Sequence, residues 1–194
     1  MNSPSFVYGL VEDRRQLQFI YRFLLAAGLG RHQVSIELSP SAQGSAEQWV
    51  RENFARQASK CRARNTRAAT GMVVMLDADV RTVQERLDAL DEALKCAAQP
   101  PIDRNLDPIA RLVPKRNVET WILFLSTGAV HALPIDEESD YKLTKSSEEW
   151  SALTPSAAET FFNWTRSNRA LTSGLIDSLA RGLKEIGRAV PNAR

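Results

Sequence analysis

The sequence has only two cysteines, Cys61 and Cys96, far apart and in neither a CxxC nor a cysteine–histidine cluster. That spacing excludes a disulfide framework and a zinc site of ordinary pattern. The two histidines, His32 and His131, have no partner pattern for zinc or for a Ser/His/Asp triad. No Walker A loop occurs, so ATP hydrolysis by this chain alone is not expected, and Gly28-Leu29-Gly30 follows a helical pattern without completing GxGxxG. Charge of one sign is also lacking: 25 Lys+Arg against 23 Asp+Glu leave a formal +2, so affinity for phosphate must come from local clustering. The first apolar run, Phe6 to Val11, is cut short by Glu12-Asp13-Arg14-Arg15 and follows MNSPS, which has no basic region. A secretory signal and a membrane span are therefore not expected, and a reducing cytoplasm is the simplest compartment. What remains, 194 residues at 43% hydrophobic and 25% charged, fits one globular domain with a small C-terminal extension.

Strand and helix patterns alternate along the chain. FVYGLV is short and rich in β-branched and aromatic residues, and the segment after it places Leu17, Ile20 and Leu24 at helical spacing, ending near Gly28-Leu29-Gly30. QVSIELS reads as a second strand, followed by a Ser/Gly loop and a long polar helix from about Ala46 to Arg64. MVVML is a third strand ending in Asp77-Ala78-Asp79, after which Val83, Leu87, Leu90 and Leu94 lie along one helix face. A Pro-rich connector leads to IARLVPKRN, a fourth candidate strand, and to the apolar helix VETWILFL. Such alternation predicts a Rossmann-like α/β fold, a mostly parallel sheet with helices on both faces. Residues 131–150 give no clean period and read as a functional or poorly ordered loop. Pro155 is expected to open a helix, and Leu171, Leu175, Leu179, Leu183 and Ile186 to stripe a last amphipathic one. Trp121 and Trp164 fall among apolar neighbours and are expected in the core, not in base stacking.

In open parallel sheets ligands bind beyond the carboxyl ends of the strands, so Glu12 and the pair Asp77/Asp79 occupy informative positions. In extended chain Asp77 and Asp79 would share a face with their Cα atoms roughly 6 to 7 Å apart, able to meet one hydrated cation. Mg²⁺ is commonly held by one or two carboxylates plus water and substrate phosphate. A single such acid, Asp13 or Asp79, would serve equally well as a helix N-cap, whereas three acids at two strand ends repel one another unless a cation is present.

A strand ending in Glu (FVYGLVED), an intervening βα unit and a strand ending in DxD (MVVMLDAD) together resemble the Toprim domain. That domain is shared by topoisomerases, primases and nucleases of the overcoming-lysogenization-defect class, and the likeness covers about residues 5 to 125. Toprim proteins usually have Gly after the motif Glu; here Asp13 stands in its place. VPKRNVETWILFL followed by DEESDYKL is similar to the later part of small stand-alone Toprim proteins of bacterial defence loci, often encoded beside an ATPase. The resemblance implies that residues 1–128 form a Toprim-like domain, with 129–194 a loop and helices packed on it or extending it. It also implies that Asp77 and Asp79 bind Mg²⁺ or Mn²⁺, and that Glu12 binds a second ion or acts as general acid or base on a phosphodiester of DNA or RNA. Glu119 is a further candidate ligand, or else a first-turn acid that complements its helix dipole.

Basic residues supply candidate substrate contacts. Lys60, Arg62, Arg64 and Arg67 belong to a stretch with the chemistry of a backbone-binding stripe, or of a solvated helix face. Lys115 and Arg116, just past the fourth strand, are placed to stabilise charge on a scissile phosphate, and Lys142 is singled out by its DYK context. Three functions stay open at this level: a metal-dependent nuclease with a separately encoded ATPase as partner, a non-catalytic Toprim-like module that binds nucleic acid or protein, and a receiver-like phosphoacceptor. Any of them is compatible with an oligomer.

Overall fold

The computed structural model describes residues 4–40, 45–127, 135–167 and 175–191. Four strands, β1 (Phe6–Val11), β2 (Val34–Leu38), β3 (Thr70–Met75) and β4 (Ile109–Leu112), form one parallel sheet in the order β2-β1-β3-β4. The α/β reading of the sequence holds. Every residue of β3 is buried, as a central strand covered on both faces requires, and its run of apolar residues follows from that position.

Alternation along the strands divides the core in two. Val7, Val11, Val73, Met75, Ala110 and Leu112 face one layer, and Leu10, Met72, Val74 and Ile109 face the other. On the first layer pack α1 (Arg14–Ala26), α4 (Val118–Ser126), α5 (Ser147–Arg166) and α6 (Asp177–Ala189); on the second, α2 (Ala46–Asn65) and α3 (Val83–Cys96). The chain therefore winds one way from β1 to β2 and the other way from β3 onward. The switch falls between β1 and β3, whose ends are in register at Val11 and Met75.

Helix ends follow local chemistry. Asp13 caps α1 by accepting the Gln16 N–H at 2.8 Å, and α1 stops at Gly28, whose φ of 89° suits a residue without Cβ. Thr82, not Asp79, caps α3, in a reciprocal box with Glu85.

One expectation needs correction. Pro155 does not open a helix: α5 begins at Ser147 behind the capping box of Ser146 and Glu149 and runs through Pro155. The S-x-x-E signature outweighs the usual preference of proline for a first turn. Residues 135–146, within the stretch read as a loop, are held closely. Glu137 accepts the Ser178 N–H and hydroxyl at 3.2 and 2.8 Å at the start of α6, and Asp140 accepts the Asn117 amide at 2.7 Å. His131 and Leu171 lie outside the described residues. Trp121 is fully buried and Trp150 only 2% exposed, both in the first core layer, with Trp164 packed against it. Cys61 is buried and Cys96 exposed, and both are free thiols. No described helix is long and apolar enough to cross a membrane.

Candidate active site at the carboxyl edge of the sheet

Because β1 and β3 are neighbours in register, the residues that follow them emerge side by side. Glu12 and Asp77, 65 positions apart in sequence, meet there: the Asp77 N–H donates to Glu12 Oε2 at 2.7 Å. Gln16, fully buried one turn into α1, holds the same carboxylate from the other side. Its Nε2 donates to Glu12 Oε2 at 3.1 Å, and its Oε1 accepts the Glu12 N–H at 2.9 Å. Glu12 is thus oriented by two donors and one acceptor.

Both acids line an open cleft of roughly 420 Å³, which Asp13, Asp79 and Lys142 also border. Asp77 is 3% exposed and its Oδ1 is buried with no hydrogen-bond partner. Such an oxygen is costly unless something outside the protein's own polar groups satisfies it. Burial pushes the Asp77 carboxyl well above its usual range, and the nearby charges of Glu12, Asp13 and Glu119 push the same way, against Lys142. Burial raises Glu12 as well, with the hydrogen bonds from Asp77 and Gln16 opposing it.

The second Asp of the DxD behaves differently from the extended-chain expectation. Asp79 has φ 54°, so the chain turns at Ala78-Asp79 and Asp79 swings to the rim, its side chain 55% exposed. There it lies 3.6 Å from Arg86, which also pairs with Glu47 at 3.0 Å from the first turn of α2. Arg86 is 6% exposed and its Nε has no partner. It was not foreseen from sequence, although a cation at position 86, on the apolar stripe of Val83, Leu87 and Leu90, is a legible irregularity. Gln16 and Glu47 were also missed, and neither belongs to a recognisable motif.

Lys142, singled out only by context, does reach the cleft. Its Nζ is 3.7 Å from Asp13 Oδ2, while Asp13 Oδ1 caps α1. Burial by itself pulls this ammonium down, but the carboxylates of Asp77, Asp13, Glu119 and Asp79 outweigh it and hold its pKa above the ordinary lysine value. Glu119 is 3% exposed in the first turn of α4, raised by burial, and its Oε2 is unpartnered; it does not border the cleft. Lys115 is at the same edge of the sheet but tied to Glu138 at 2.7 Å, and Arg116 faces Asp140 at 3.8 Å.

The remaining basic residues lie elsewhere. Helix α2 starts at the cleft and, being 20 residues long, carries its last turn about 30 Å away. Lys60, Arg62, Arg64 and Arg67 therefore sit toward the opposite edge of the sheet. Arg62 forms a 2.7 Å ion pair with Asp107, and Arg64 stacks on Phe6 with its guanidinium carbon 4.3 Å from the ring centre. Lys60 and Arg67 are exposed.

No protein-family model matches the chain, and no curated protein or solved structure is significantly similar to it. Among the described residues no three His, Cys, Asp or Glu side chains are gathered closely enough to hold a metal ion by themselves. An ion bound at Asp77 would take the rest of its shell from water and substrate, the usual condition of Mg²⁺.

Proposed function

We propose that this protein is a metal-dependent phosphodiesterase of Toprim type that cuts DNA or RNA, working with a separately encoded ATPase in anti-phage defence. The observation that supports this reading is the unpartnered, buried Asp77 carboxylate beside Glu12 at the switch point of a parallel sheet. A hard divalent cation such as Mg²⁺ or Mn²⁺ fits that oxygen; Asp77 would hold it, and Asp79 stands at the rim of the same cleft. When bound, the ion supplies Lewis-acid polarisation of a phosphoryl oxygen and activation of water. Glu12, whose raised pKa suits it to exchange protons, serves as general acid or base while Gln16 and the Asp77 N–H fix its direction. Arg81, also at the cleft, and Lys142 offset the charge of an incoming phosphodiester.

The test is cleavage of supercoiled plasmid and of single-stranded RNA with Mg²⁺ or Mn²⁺, in the presence and absence of a candidate ATPase partner. Asp77→Asn and Glu12→Gln, each checked for folding, are expected to lose activity at least ~100-fold. Wild-type protein inert toward both substrates under all these conditions refutes the catalytic reading. Full biological activity in a folded Asp77→Asn variant favours a non-catalytic binding module instead.

A further inference from the structure

We propose that the open face of the sheet beside α2 binds single-stranded nucleic acid and leads it to the cleft. This deepens the phosphodiesterase reading by naming its substrate class, and only the destination of the strand rests on that reading.

The two helical layers are unequal, and the thinner one leaves part of the sheet bare. Four helices pack on the first side, whereas α2 and α3 are the helices described on the second. Val34, Ile36 and Leu38 of β2 turn to the first layer, so Ser35 and Glu37 turn to the second. There Ser35 is exposed and the Glu37 side chain is 39% exposed. On the adjoining β1, Phe6 and Tyr8 point the same way and are only half-buried. Tyr8 and Ser35 are neighbours in register, and a side chain as small as serine leaves that flank of the ring uncovered. Phe6 belongs to neither apolar cluster: its ring meets Tyr8 at 4.9 Å and the Arg64 guanidinium at 4.3 Å. Aromatic rings at alternate positions of a strand, on a face that water reaches, are a platform on which bases stack.

Helix α2 supplies the charge. Trp49, Asn53, Arg56, Lys60 and Arg64 recur at helical spacing and form one stripe about 22 Å long. Two contacts lay that stripe along the open face: Arg56 to Glu37 of β2 at 3.2 Å, and Arg64 to Phe6 of β1. Glu37 is matched by Arg56 and accepts from Gln57 as well. Glu52 lies round the helix, beside Ala55 and Ala93. Lys60 is exposed and forms no ion pair among the described residues. The face is therefore cationic as well as aromatic, although the whole chain carries only +2.

Both borders of the face end at the cleft. Strand β1 runs into Glu12, and α2 begins among Ser45, Ala46 and Glu47, all of which line it. In a duplex the bases are paired and stacked on one another, so rings on a sheet face meet only the bases of an unpaired strand.

Fluorescence anisotropy of a labelled oligothymidylate of about 16 nucleotides, with chelator in place of divalent ion, measures binding apart from cleavage. Full-length wild type is compared with Phe6→Leu, Tyr8→Leu, Lys60→Glu and Arg64→Glu, each checked by circular dichroism and thermal melting. Leucine keeps the apolar bulk and removes the ring. Wild type is expected to bind, and to release the probe to unlabelled single strand at least ~10-fold more readily than to duplex of the same length. Each leucine variant is expected to lose affinity about 10-fold, and the charge reversals to weaken binding and flatten its salt dependence. No binding by wild type, equal competition by duplex, or wild-type affinity in the folded leucine variants overturns the proposal. So does a dimer that the same substitutions dissociate in the absence of any bound strand, which would give the face to a second copy of the chain. Strand binding by a wild type that cleaves neither plasmid nor RNA would uphold this face and refute the catalytic reading alone.

Discussion

Arg62 shows how a single residue's role depends on what it meets. Its guanidinium Nε and Nη2 grip both oxygens of Asp107 at 2.9 and 2.7 Å, and Nη2 also donates to the carbonyls of Pro100 and Pro101. It therefore ties the end of α2 to the connector before β4. Burial alone would raise the Asp107 carboxyl, but the hydrogen bonds from Arg62 and from the Asp103 N–H outweigh it, so the folded-state pKa lies below the ordinary 3.8. A lowered carboxylate pKa stabilises the fold above the unfolded value, and that contribution is lost as pH falls through the folded one. Arg62→Met is expected to cost about 2 kcal/mol at neutral pH, less than a fully buried pair because both side chains keep some solvent contact. Urea titration across pH checks this: the gap between wild type and variant should close as pH drops below 3.8, and a pH-independent gap would mean that packing of the Arg62 stem, not the ion pair, matters.

Elements in this protein are stabilised mostly by the layer they pack on, which is why α5 tolerates a proline. Pro155 lies nine positions into a 20-residue helix and is exposed. It offers no N–H to the Ser151 carbonyl, and its ring crowds that turn. The helix persists because Trp150, Ala157, Ala158 and Phe161 bury one face against the core, and Phe161 meets Phe19, Phe23 and Trp121 at ring distances of 5.4, 5.3 and 5.9 Å. Replacing Pro155 by Ala restores the missing bond without touching those contacts. A gain of roughly 1 kcal/mol is expected, smaller than the full penalty of an interior proline because the folded helix already accommodates the ring. A thermal melt unchanged or lowered in Pro155→Ala would show that the proline ring contributes to α5 as much as the missing hydrogen bond costs it.

At the scale of the whole molecule, the segment after α4 belongs to the same core as the sheet. Leu179, Leu183, Ile186 and Ala189 of α6 join the cluster built on Val73, Ala110 and Leu112, and Trp121 donates its indole N–H to Ser178 at 2.8 Å. The approach is close: a Cβ on Gly71 of β3 would strike the backbone oxygen of Ala189. Terminating the chain after residue 174 removes α6 and opens that layer to water. Such a truncation is expected to lose cooperative unfolding and native near-ultraviolet dichroism; a cooperative melt in the truncated protein would show α6 to be an accessory. The same layer also carries Trp150, whose indole N–H donates to the Lys142 carbonyl at 3.2 Å, so the C-terminal third bears on the cleft as well as on stability.

The sequence by itself determined the repeating strand–helix alternation, and with it the three-layer α/β architecture, because apolar periodicity is a local property that burial on one or two faces imposes on each segment. It also determined that Glu12 and Asp77 stand at strand ends. That β1 and β3 are neighbours, and hence that these acids share a hydrogen bond, is a matter of strand order, which periodicity does not encode. The turn at Asp79 moves one half of the DxD to the rim. Arg86 and Lys142 enter the cleft from α3 and from the segment before α5, while Arg62 is taken away from any phosphate by a connector 45 residues further along the chain. Those outcomes belong to tertiary structure, because a charged side chain finds its partner through space, at a cost or gain set by burial, and nothing in its immediate sequence records which partner that is.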